Sequence, residues 1–255
     1  MHACHRLRLI GRRFGLGQRA LRWAPAAALA LACAVPNSFA VVRADARGLA
    51  HFGNHAASRE ARLIARWAFV SGDRGPHAVV VVDKKNAKAF VFDAVGTLRG
   101  AAPVLLGSAI GDHTVPGVGD KPLSQVRPEE RTTPAGRFVA EPGVNQRGED
   151  VVWVDYDAAV SMHRVRANVK SERRLQRLAS KTAADNRISF GCINMPVRFY
   201  EDVLSPLVHS AGAVIYVLPE TRSAAEFFGV SEQQVRAATA QTRGPGREGA
   251  SSDTP

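Results

Sequence analysis

Cysteine is scarce in this 255-residue chain: only Cys4, Cys33 and Cys192 occur. The first two lie in the N-terminal stretch that reads as an export signal. Past that stretch one thiol remains, with no intramolecular disulfide partner. A small scaffold stapled by disulfides is therefore excluded, and a lone thiol in an oxidising compartment is either well buried or used. Histidines and acids do not cluster at metal-ligand spacing, so neither a metal site nor a cofactor is expected. Asp112-His113 reads as loop polarity rather than as a ligand pair. No acidic residue occurs from Met1 to Trp23. The apolar run Ala24 to Val35 is too short for a comfortable membrane span. No internal repeat is visible, and no second domain of comparable size.

What the N-terminus does contain is ordered. Six arginines from Arg6 to Arg22 precede the apolar run, and "PNSFA" ends in small residues at Ser38 and Ala40. Basic, apolar and small-residue regions in that order predict a secretory signal over 1–40, cleaved after Ala40 or, as second choice, after Ala46. An uncleaved anchor is the alternative reading. Arg12-Arg13 and "ALAC" match twin-arginine and lipoprotein signals only loosely. The net charge is +11, which predicts anionic surroundings. Export to the periplasm or cell wall moves nucleic acid down the list of partners and moves cell-wall polymer or the outer membrane surface up. The mature form is expected to have no membrane span.

Beyond the signal, "SREARLIARWAFV" sets Leu63, Ile64, Trp67 and Ala68 at helical spacing, which predicts an amphipathic helix within an N-terminal extension over 41–76. "HAVVVVDKKNAKAFVFDAVGTL" has the Val/Phe content and polar turns of a β-meander. "APVLLG", "RFVAEPG" and "EDVVWVDYDAAVSMHRV" read as further strands. Between them "GDHTVPGVGDKPLSQVRPEERTTPAG" is a long Gly/Pro-rich loop of the kind that is often functional. A helical stretch follows from Asn168, with Ser171 as a candidate cap. "PVRFYEDVLSPLVHS" is a helix opened by Pro196 and interrupted before Pro206. "AVIYVLPE" is a last strand. "SAAEFFGVSEQQVRAAT" is a helix, and with the polar tail "GPGREGASSDTP" it makes up 221–255.

The chemistry centres on "ISFGCINMP". A thiolate is a strong nucleophile, but it needs a base or positive surroundings to form at neutral pH. Of the eight histidines, His163 alone comes at a strand end inside the sheet region and just upstream of Cys192. A strand histidine is also a common core or surface residue, so spacing alone leaves both readings open. "TTPAGRF" (Thr132 to Phe138), "SMHRV" with His163 and "SFGCIN" (Ser189 to Asn194), in this order, resemble the L,D-transpeptidase catalytic domain, the YkuD family. The opening hairpin is similar as well. The resemblance spans roughly His77 to Pro219, within an expected catalytic domain over 77–220.

That resemblance implies a mainly β fold, a mixed β-sandwich or barrel with a few peripheral helices. It implies Cys192 as nucleophile and His163 as base. Gly191 would turn the backbone, and the amides around Gly191 and Cys192 would form an oxyanion hole. Ser189 and Asn194 would support the turn. The implied partners are peptidoglycan stem peptides, with carbapenem-type β-lactams as inhibitors. The implied reaction is acyl transfer through a Cys192 thioester. Two departures stand out. Phe190 replaces the motif's own histidine and offers an aromatic wall. The spacing from His163 to Ser189 is longer than usual, and the extra chain, "KSERRLQRLASK", is expected to form a lid. From Arg164 to Arg187 the chain carries eight Arg or Lys against Glu172 and Asp185. This is either a solvated basic helix or a set of carboxylate-binding arginines, with Arg187 the first candidate.

Overall fold

The computed structural model describes residues 50–243. The predicted signal, its alternatives and the polar tail from Gly244 lie outside the described residues.

Eleven strands form three sheets among the described residues. In the larger sheet the order is β3 (Leu98–Pro103), β2 (Lys88–Phe92), β1 (Ala78–Asp83), β11 (Ala213–Val217) and β5 (Gly136–Val139). The second sheet runs β10 (Ile193–Met195), β8 (Val160–Arg164), β7 (Asp150–Asp155) and β6 (Glu141–Val144). A third, short ladder pairs β4 (Leu106–Gly107) with β9 (Arg187–Ser189). The pairs β1–β11, β8–β10 and β4–β9 are parallel, and the rest are antiparallel. The fold is mostly strand in mixed sheets with a few helices.

The run of valines in β1 is buried along its whole length because both faces of its sheet are covered. Side chains alternate across the sheet. Val80 and Val82 face the second sheet and pack in one cluster with Val152, Met162, Ile193 and Met195. Val79 and Val81 face the other way, against Ile64, Ala65, Ala68 and Phe69 of α1 (Arg59–Val70). Helix α1 follows the expected amphipathic spacing, with Ser58 accepting the amide of Ala61 as N-cap. Near it lie α5 (Ala224–Phe228) and α6 (Glu232–Arg243), which add Ala224 and Val235 to the same cluster. The sequence pattern predicts one helix here. Gly229, at φ +64°, ends the first, and Ser231 accepts the amide of Gln234 at the start of the second.

"RFVAEPG" also divides. β5 joins the first sheet and β6 the second, so the chain crosses between sheets at Ala140. The stretch read as a Ser171-capped helix is shorter than expected. It forms a 3-10 turn over Lys170–Glu172 and then α2 (Arg174–Ala179), with Arg173 between them at φ +51°. Further on, α3 (Val197–Phe199) runs through a π-helical turn, Tyr200–Leu204, into α4 (Ser205–Ala211). The wide turn lies just ahead of Pro206, whose ring has no N–H and crowds the preceding turn. The long loop ahead of β5 holds three 3-10 turns.

Candidate active site

The parallel pairing of β8 with β10 sets the site. Its register places Ile193 opposite Met162 and Asn194 opposite His163. The first pair lies in the core between the sheets, so the second is turned to the other face. There Asn194 and His163 line a cavity with Ser189, Phe190 and Cys192, closed on one side by Glu172 and Arg174 of the inserted stretch. Arg147, Arg166 and Leu123 complete much of its rim.

The turn that presents Cys192 is built by several backbone contacts. Gly191 has φ +129°, and a Cβ there would sit 2.7 Å from the Thr132 carbonyl oxygen. Only glycine meets both conditions. Thr133 Oγ1 donates to the Gly191 carbonyl at 2.7 Å and accepts the Gly107 amide at 2.9 Å. Ser189 Oγ donates to the Cys192 carbonyl at 2.6 Å and accepts the Gly191 amide at 3.1 Å. That last bond takes Gly191's N–H into the turn itself, whereas the family resemblance implies it among the oxyanion donors. Cys192 is partly exposed. Its Sγ lies 3.6 Å from the Ala159 carbonyl, as donor, and 3.8 Å from Ser161 Oγ. Ala159, at φ +53°, ends the turn between β7 and β8.

His163 Nδ1 lies 2.8 Å from the carbonyl of Arg164. A carbonyl only accepts, so Nδ1 carries the proton and Nε2 is the basic nitrogen. Nε2 lies 3.1 Å from Asn194 Nδ2, which also donates to the Cys192 carbonyl at 3.3 Å. On the other side of that amide, Arg174 Nη1 donates to Oδ1 at 2.5 Å, and Arg174 Nε is held by Glu172 at 2.6 Å.

Phe190 is more than a wall. The guanidinium carbon of Arg131 sits 4.2 Å from its ring centroid, a cation–π contact. Arg187 does not line the cavity. Its guanidinium is ion-paired with Glu220 and donates to the Lys84 carbonyl at 3.0 Å. It thus belongs to a buried cluster, and the arginines that line the cavity with Cys192 are Arg147, Arg166 and Arg174. In that cluster Lys84 is fully buried and donates to Asp112 at 2.9 Å, to the Gly111 carbonyl at 2.6 Å and to the Thr133 carbonyl at 2.8 Å. Asp112 also accepts the amides of Glu220 and Thr221 and the Thr221 hydroxyl. Burial pushes the Asp112 carboxyl up, but these bonds outweigh it and hold the group well below its ordinary range. No cluster of three or more metal-ligating side chains occurs among the described residues.

No protein-family model matches the sequence, and no curated protein does. Solved structures do match. The fold is similar to that of L,D-transpeptidase catalytic domains. The catalytic domain of the Enterococcus faecium enzyme shares 16% identity over 56% of this chain and 98% of its own, with a TM-score of 0.33. An L,D-transpeptidase from Mycobacterium smegmatis shares 19% identity over 55% of this chain and 58% of its own, at 0.31. The helical cell shape determining protein of Campylobacter jejuni shares 11% identity over 73% of this chain and 62% of its own, at 0.39. The present chain thus spans about three fifths of the length of the latter two. No helix of the described residues is long and apolar enough to cross a membrane.

Proposed function

We propose that this chain is a cysteine-dependent L,D-transpeptidase acting on peptidoglycan stem peptides outside the cytoplasm. The observation that carries this reading is one cavity in which Cys192, on a glycine turn, shares a wall with His163, whose Nδ1 is tied to the Arg164 carbonyl and whose Nε2 is left as the basic nitrogen.

In this reading His163 Nε2 takes the thiol proton as Cys192 Sγ attacks the carbonyl of an acyl donor. The tetrahedral oxyanion is stabilised by backbone N–H groups of the turn around Cys192. The C–N bond of the leaving D-amino acid breaks as His163 returns the proton to its nitrogen, leaving a thioester on Cys192. An amine acceptor then attacks the thioester, loses its proton to His163 and restores the thiol. The Arg164 carbonyl faces the Nδ1–H and stabilises the imidazolium that forms in between. Among the lining arginines Arg166 and Arg174 are already paired with Glu149 and Glu172, which makes Arg147 the first candidate for a carboxylate of the donor. Carbapenem-type β-lactams acylate the same thiol in this account.

Incubating the mature protein with purified muropeptides and weighing the products tests the reading. New cross-linked dimers or D-amino-acid-exchanged stems are expected. Shortened stems alone would make water the acceptor and the protein an L,D-carboxypeptidase or cross-link hydrolase. No change in any muropeptide would overturn the enzymatic reading in favour of cell-wall binding.

A further inference from the structure

The orientation of the Asn194 amide is fixed twice over. Its Oδ1 end faces Arg174, which can only donate, and its Nδ2 end faces the Cys192 carbonyl, which can only accept. Turning the amide over would place two donors together at Arg174 and two acceptors together at Cys192. With Nδ2 so held, its second hydrogen points to His163 Nε2 at 3.1 Å. A donor there is met by a lone pair and opposed by an N–H. Asn194 therefore favours the neutral imidazole and disfavours the imidazolium.

We propose that Arg174 is a positioning residue that acts through Asn194 to keep His163 neutral, with Nε2 unprotonated, in the substrate-free site. The significance of this for catalysis rests on the acyl-transfer reading above. The resting site is then a thiol beside a neutral base, not a preformed thiolate–imidazolium pair. The Cys192 thiol donating to the Ala159 carbonyl at 3.6 Å is consistent with this.

Three arginines around His163 are paired with carboxylates. Arg164, next in β8, is paired with Asp150 at 2.8 Å and Glu201 at 2.7 Å. Arg166 is paired with Glu149, and Arg174 with Glu172 at 2.6 Å. Each of these cations thus has its own carboxylate. Arg147 adds a further cation to the cavity wall, which acts in the same direction as the amide.

In the sequence Arg174 is one member of a basic run. Glu172, its anchor, sits two residues earlier, on the far side of the Arg173 turn.

Imidazole 15N NMR on the mature protein tests the proposal without requiring turnover. In the wild type at neutral pH, His163 is expected to show the neutral tautomer protonated at Nδ1. In Arg174→Leu only the longer, 3.3 Å bond to the Cys192 carbonyl still opposes turning the Asn194 oxygen to Nε2–H, and loss of the Arg174 bond should raise the His163 titration midpoint by about one pH unit, the equivalent of one reversed hydrogen bond. Arg174→Lys keeps a donor at Oδ1 and should restore much of the wild-type midpoint. A wild-type signal protonated at Nε2 would overturn the proposal with no variant needed, as would an unchanged midpoint in a folded Arg174→Leu. Failure to convert muropeptides would bear on the enzymatic reading and leave this tautomer result standing.

Discussion

Thr133 Oγ1 donates to the Gly191 carbonyl at 2.7 Å, joining the end of the long Gly/Pro loop to the turn that carries Cys192. The same hydroxyl accepts the Gly107 amide, so a single buried side chain ties three segments together. This is the physical link between "TTPAGRF" and "SFGCIN", which sequence order alone could only juxtapose.

Replacing Thr133 by valine keeps the shape and removes the hydroxyl. The Gly107 N–H and the Gly191 carbonyl then lose a buried partner, at about 1–3 kcal/mol each. Thermal unfolding should fall by several degrees, at roughly 2–4 °C per kcal/mol for a domain of this size. An unchanged midpoint would mean that the turn is held by other contacts.

Gly191→Ala should be more damaging to chemistry than to folding. The added methyl meets the Thr132 carbonyl, and the backbone at φ +129° disfavours it. The turn must shift, and a displacement of about 1 Å at a nucleophile can cost about a hundredfold in rate. The check is the rate of carbapenem acylation in stopped flow. Acylation within a factor of two of wild type would remove the turn geometry from the account.

The buried cluster of Lys84, Asp112, Arg187 and Glu220 makes Arg187 structural here. Arg187→Met leaves Glu220 without its arginine but with Lys84 at 3.4 Å, so the cost should fall below the roughly 3–5 kcal/mol of a buried charge left wholly unpaired. Reduced stability in urea is expected, with the carbapenem acylation rate of the folded fraction close to wild type. A stable variant with acylation selectively lost would return Arg187 to substrate binding.

Acid should destabilise the protein through its paired carboxylates. Burial raises Asp112, yet bonds from Thr221, Lys84 and two amides hold it far down. Hydrogen bonds from Lys121 and Arg127 hold Glu130 at about 2. For Asp150, burial raises and Arg164 lowers, with a net fall. Each folded-state value lies below its unfolded value. The stabilisation is therefore complete above the unfolded range, about pH 4–5, and is lost as pH falls towards 2 and below. Unfolding midpoints followed by circular dichroism should be flat from neutral to about pH 5 and decline beneath it. A midpoint that rises on acidification would contradict these ion pairs.

Much of this was legible in the chain because the signals were local. The run of valines in β1, the Gly before Cys192, the period of α1 and the Pro206 interruption each reflect nearest neighbours. The fold class was legible from strand composition and from the order of the motifs. What was hidden depends on contacts between distant segments. Nothing in the "DKK" turn distinguishes Lys84, which is fully buried, from Lys85, which reaches Glu60 at the surface. Arg187 precedes the motif, but β9's pairing with β4 sends it to Glu220 and away from the thiol. Arg174 reaches Asn194 only because Arg173 takes a left-handed turn that a run of arginines does not announce. The stacking of Arg131 on Phe190 was likewise invisible, because the two are joined by tertiary packing alone.

The central claim is that Cys192 is the nucleophile of an acyl-transfer site. Mass spectrometry of the intact protein after exposure to a carbapenem tests it most directly. The account predicts one covalent adduct on wild type, mapped to the peptide holding Cys192, and none on Cys192→Ala. An adduct retained by Cys192→Ala, or a folded wild type that forms none, would contradict it.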